Sequence, residues 1–335
     1  MLHGHQTWIF KNKPAIISSS VVGGPFEAKG PLADDFDLLH GDLYIGQDSY
    51  EKAERKMLEE ACEDAIKKAG YKKEDIQFFL SGDLLNQIIS SSFTARTLGV
   101  PYLGLFGACS SSMESMALGS LLIDSGAAEK ILCGAVSHNA TVEKQFRYPT
   151  EYGAQKPPTA QWTVTAAGVG ILSTKGSGPR VTSATIGKVV DMGLSDPFNM
   201  GGAMAPAAVD TITAHFRDLN ISASEYDLIA TGDLGKVGHQ IAADLFKKHK
   251  IDMPEDIFTD CGLMIYSDDM SVFSGGSGCG CSAAVTYGHI LKRIKQRELK
   301  KVLIVATGAL LSPLSYQQKE SIPCIAHAVS IEYDH

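Results

Sequence analysis

Two short motifs recur, in the same order, in the two halves of this 335-residue chain. "LSGDLL" (80–85) returns as "ATGDLG" (230–235), and "ACSSS" (108–112) returns as "GCSAA" (280–284). Each Gly-Asp pair closes a short apolar run, and each cysteine motif opens a helix-like one. From Cys109 to the next apolar run at Ile131 is 22 residues; from Cys281 to Val302 is 21. Matches in one order at near-constant offset point to an internal duplication, with halves 1–178 and 179–335 related by a pseudo-twofold axis.

The pattern between these motifs is an alternation of strands and helices. In the first half, strands are predicted over 14–24, 76–82, 100–107, 130–138 and 162–174. "SYEKAERKMLEEACEDAIKKAG" (49–70) is an amphipathic helix, with Ala53, Met57, Ala61, Ala65 and Ala69 on one stripe and Gly70 as its stop. The second half repeats the alternation, with strands over 179–191, 226–232, 261–267, 300–311 and 322–334 and helices over 204–219, 238–249 and 282–296. This order implies an α/β fold with largely parallel, buried strands.

Composition narrows the function classes. A net charge of −8 leaves no basic footprint for nucleic acid. The basic stretch 292–301 alternates with apolar residues and reads as a solvated helix face. The seven cysteines are widely spaced among apolar neighbours, which fits a reducing compartment rather than a disulfide framework. The start, "MLHGHQTWIFKNK", has no apolar core of a signal peptide. The long uncharged run 270–291 is broken by five glycines, so no transmembrane segment is expected and any membrane association is peripheral. No phosphate-binding loop marks an energy source.

The chemistry concentrates at "GACSSSMESMALGS" (107–120). Ser111 and Glu114 have capping-box spacing, which starts a helix at Ser111 and leaves Cys109 at its mouth. Unpaired amides and the helix dipole there lower a thiol's pKa and create a place for a carboxylate or oxyanion. Cys109 equally suits the role of a small buried hydrophobe in a tight turn.

Strand–"GACSSSMESM"–helix in a duplicated chain of this length resembles the thiolase superfamily, nearest its type III β-ketoacyl-acyl-carrier-protein synthase branch. The resemblance implies a duplicated five-layer α-β-α-β-α thiolase fold with two mixed sheets, and a homodimer. It implies a cysteine nucleophile working with a histidine of the second half and a further asparagine or histidine. The first partner's place, after "YDLIATG", holds Gly232 and Asp233; His239 lies about seven residues downstream, either a displaced partner or a helix surface residue. The second partner's place holds Gly280. The nucleophile position is kept without its condensing apparatus. Catalytic roles for Cys109 and His239 therefore belong to an alternative reading, a thioester-dependent condensing enzyme.

"GDLLNQ" (82–87), "KQFRYPTEYGAQKP" (144–157), "DPFNMGGAMAPAA" (196–208) and "ATGALLSP" (306–313) further resemble the stage V sporulation protein AD family of spore-forming bacteria. That resemblance implies non-catalytic binding of dipicolinic acid for uptake into the developing spore. It places the protein peripherally at the spore inner membrane, beside membrane-spanning SpoVA proteins. No cofactor and no resident metal is expected. The expected ligand contacts are Asp83, Asn86, Cys109 and Ser110 from the first half, with Asp233, Cys279, Gly280 and Cys281 from the second. Two helix mouths would supply backbone donors, and the glycines of 275–280 would let backbone approach the ligand. Asp83 and Asp233 would repel a free dianion and suit its calcium chelate; Asp83 equally suits a turn. In the polar stretch 137–153, read as a long loop, Arg147 suits a carboxylate, or Tyr148 and Tyr152 hold a structural dimer loop.

Overall fold

The computed structural model describes residues 1–146 and 156–333; Arg147, Tyr148 and Tyr152 lie outside the described residues. Ten strands carry the architecture. The first five are β1 (Ala15–Gly23), β2 (Phe78–Gly82), β3 (Tyr102–Gly104), β4 (Lys130–Ser137) and β5 (Ala166–Ser173). The next five are β6 (Arg180–Ile186), β7 (Leu228–Thr231), β8 (Phe258–Asp260), β9 (Lys301–Ala309) and β10 (Cys324–Glu332). The first set runs β1-β5-β4-β2-β3 across its sheet, and the second runs β6-β10-β9-β7-β8. These are one order met twice. The senses match as well: β2 is parallel to β3 and β4, and β7 is parallel to β8 and β9. The pairings of β5 with β4 and β1, and of β10 with β9 and β6, are antiparallel. The sheets are thus mixed rather than largely parallel. They also touch, through the single pair Arg180↔Ala15, so the hydrogen-bonded path is continuous.

The helices complete five layers. α1 (Tyr50–Lys68) and α2 (Ile89–Leu98) cover the outer face of the first sheet; Met57, Leu58, Ala95 and Leu98 pack there on Phe79, Leu132 and Val169. Between the sheets lies α3 (Ser111–Asp124), and α4 (Asn139–Phe146) follows β4. α5 (Met200–Leu219) and α6 (Gly235–Lys248) cover the second sheet. α7 lies beside α3: it starts as Cys279–Ala284 and runs through a π-helical stretch, Val285–Ile290, into Leu291–Lys295. Every residue of β5 is buried, because helices cover both of its faces. Its Gly168 is required by α7, since a Cβ there would meet the Ala283 carbonyl carbon at 2.6 Å.

Three local expectations fail. The run 261–267 is not a strand: Cys261–Met264 is a helical turn, and the strand is β8 just before it. The stretch 137–153 is not all loop, since α4 occupies Asn139–Phe146. The capping box is absent: Ser111 Oγ donates to the Ala108 carbonyl, while the Glu114 carboxylate accepts from the Gly107 amide. The helix still starts at Ser111.

Candidate functional site

The two Gly-Asp pairs end β2 and β7, yet their aspartates do different work. Asp83 accepts from the Leu85 amide at 2.9 Å and the Ser91 amide at 2.7 Å, so it shapes the loop that enters α2. That loop is tightly bent, with Gln87 at φ 57° and Ile88 at φ 45°. Asp233 instead ties distant segments together. It accepts from Thr307 Oγ1 on β9 at 2.6 Å and from the Gly278 amide at 2.9 Å. It also accepts from the thiol of Cys109.

Cys109 sits in a 3-10 turn, Ala108–Ser110, immediately before α3. Ala108 holds the left-handed conformation, φ 50°, and Ser110 Oγ closes the turn by donating to the Gly107 carbonyl at 2.6 Å. Such a turn thrusts the cysteine toward the end of the sheet. Its thiol nonetheless differs from the expectation of a lowered pKa. Burial, followed by the Asp233 carboxylate, pushes it well above the ordinary thiol range. A helix dipole contributes at most about 2 kcal/mol, which desolvation and a contacting carboxylate outweigh.

In front of Cys109 opens a cavity of about 690 Å³. Its polar lining includes Asp83, Asn86, Gln145, Thr163 and Ser277; its apolar wall includes Leu85, Ile88, Phe106, Phe146, Met200 and Leu311. Among the described residues no lysine, arginine or histidine lines it. Burial raises Asp83 to about 6, and Glu54 behind it is raised well above its usual range by burial and by Asp83. Burial likewise raises Asp233 to about 7, against the pull of its three hydrogen bonds.

The structure therefore brings Asp83, Asn86 and Cys109 together at one cavity, with Asp233 behind the cysteine. Ser110 is spent on its own turn. Cys279, Gly280 and Cys281 do not line the cavity: Cys279 Sγ donates to the Val136 carbonyl, the Gly280 amide donates to Ser137 Oγ, and Cys281 is fully buried. The glycine at 280 serves close packing rather than ligand approach, because a Cβ there would lie 2.3 Å from the Ala166 carbonyl oxygen. His239 does not join Cys109. It stacks on Phe258 on the outer side of α6, in a separate cavity of about 350 Å³. Gln145, Thr163 and Ser277 were not expected. Gln145 fell in the presumed loop, and a threonine or serine at a strand position carries no signal of its own.

The sequence pattern described as Stage V sporulation protein AD (SpoVAD) matches residues 4–332. A Stage V sporulation protein AD of Bacillus subtilis (strain 168) is 50% identical over 333 residues, covering 99% of this chain and 98% of the relative. The chain belongs to the stage V sporulation protein AD family. Its role is accordingly in sporulation. The fold extends beyond that family. The crystal structure of 3-oxoacyl-[acyl-carrier-protein] synthase III from Aquifex aeolicus VF5 matches with a TM-score of 0.58 at 14% identity, covering 96% of this chain and all of that one. Human mitochondrial 3-ketoacyl-CoA thiolase matches with a TM-score of 0.60 at 11% identity, over 97% of this chain and all of that one. At such identities the likeness is one of fold, and the fold is that of the thiolases. Among the described residues no helix is long and apolar enough to cross a membrane.

Proposed function

We propose that this chain binds dipicolinic acid in the Cys109 cavity, without catalysis, for uptake into the developing spore. It acts as a homodimer held peripherally at the spore inner membrane, beside the membrane-spanning SpoVA proteins. The observation that carries the reading is Cys109 itself: its thiol is engaged as a donor to Asp233, its pKa is raised, and His239 is elsewhere. A condensing nucleophile needs an activated thiolate and donors for a developing enolate. The calcium chelate is the favoured form of the ligand. The described lining offers no cation to a free dianion, and Asp83 would repel one. The chelate is net neutral, and the Asp83 carboxylate at the cavity wall would attract rather than repel the metal that the ligand brings with it.

Calorimetry of the wild type with calcium dipicolinate tests this, beside Asp83→Ala and Cys109→Ala. Saturable binding weakened in both variants is expected, with weaker binding when a chelator removes the calcium. Absence of binding by the folded wild type, together with acylation of Cys109 by an acyl-thioester in a mass spectrum, would turn the reading to a condensing enzyme.

A further inference from the structure

The floor of the cavity is a two-strand ribbon in which Trp162–Thr163 pairs in parallel with Gly276–Ser277. The register sets Thr163 directly opposite Ser277, so the two hydroxyl side chains stand on one face, and both line the cavity. Thr163 is 1% exposed, and its Oγ1 has no hydrogen-bond partner among the described residues. Its methyl is turned to Gly278, where a Cβ would meet it at 3.2 Å. A buried lone hydroxyl is unfavourable and calls for a reason. Several other polar groups of the lining are engaged. Gln145 accepts from the Asn86 amide and donates to the Leu84 carbonyl; Ser312 caps its own helical turn; Cys109 donates to Asp233.

Resting on the dipicolinate reading, we propose that Thr163 and Ser277 form a neutral carboxylate clamp, each hydroxyl donating to one ligand carboxylate at the cavity floor. In a cavity whose described lining has no cation, hydroxyl donors supply recognition that does not depend on charge. A ligand with a single carboxylate would gain from the clamp or from the Asp83 end, but not from both.

The test is calorimetry on the full chain with pyridine-2,6-dicarboxylate plus calcium, and with pyridine-2-carboxylate as the one-carboxylate probe. Thr163→Val removes the hydroxyl and keeps the shape. It is expected to weaken the dicarboxylate by about tenfold or more and to narrow the gap between the two probes. Thr163→Ser should stay near wild type, and Ser277→Ala should weaken binding in the same direction. Without ligand, Thr163→Val should melt no lower than wild type, which separates lost recognition from lost folding. Wild-type binding that Thr163→Val matches would overturn the clamp alone. No binding by the folded wild type would overturn the dipicolinate reading and the clamp with it.

Discussion

Asp233 follows β7, where the resemblance to condensing enzymes implies a histidine, and its carboxylate sets the character of the neighbouring cysteine. A histidine can take a proton from a thiol and leave a thiolate. A buried carboxylate holds the thiol's proton in place and is itself reluctant to ionise. The consequence can be read in stability. The folded-state pKa of Asp233 is raised to about 7 from an ordinary 3.8. Between those values the folded protein binds the extra proton, so stability falls as pH rises through that window. Relative to wild type, Asp233→Asn should therefore gain on the order of 2 kcal/mol in denaturant unfolding between pH 5 and pH 8. A constant difference across that range would contradict an ionisable, buried Asp233. The buried His215, its pKa lowered to about 3 by burial, acts in the opposite sense and removes stability as pH falls below about 6.5. The variant comparison cancels it.

The elements that hold the site were legible where one rule decided them. α1 follows its alanine and methionine stripe, and β4 its unbroken buried run. Legibility failed where tertiary contact overrode local chemistry. Ser111 and Glu114 have capping-box spacing, but the 3-10 turn ahead of them offers Ser111 the nearer Ala108 carbonyl. The glycines at 275–280 suggested backbone open to a ligand; in the fold Gly280 is consumed by the approach of α7 to the ends of β4 and β5. This packing leaves no room for a side chain at 280. A side chain at 280 would start 2.3 Å from the Ala166 carbonyl oxygen, 2.6 Å from Ser137 Oγ and 3.0 Å from the Ser137 amide. Gly280→Asn should hence destabilise the protein by about 2–4 kcal/mol, measured by thermal or urea unfolding. A variant as stable as wild type would show that α7 can withdraw.

At the level of the whole molecule the duplication was the most informative reading, because a repeated order of strands leaves repeated motifs at constant offset. What the motifs did not carry was the contact between sheets, which rests on one residue pair, or the composition of the cavity, whose wall is gathered from many separate segments. The proposed homodimer belongs to this level. Among the described residues β3 ends its sheet with one unpaired edge, and Leu103 on it and Phe106 just after it are 45% and 64% exposed. A second copy turned about a twofold axis can pair that edge with its own. Leu103→Lys should shift sedimentation from dimer toward monomer at micromolar concentration, while a wild-type monomer would place any dimer elsewhere or nowhere. The position of β10 has a different consequence. This strand, the latest of the ten to leave the ribosome, lies inside its sheet, between β9 and β6. A nascent chain halted before Cys324 leaves two bare strand edges and an uncovered apolar layer, so a truncated product advertises itself to proteases and chaperones.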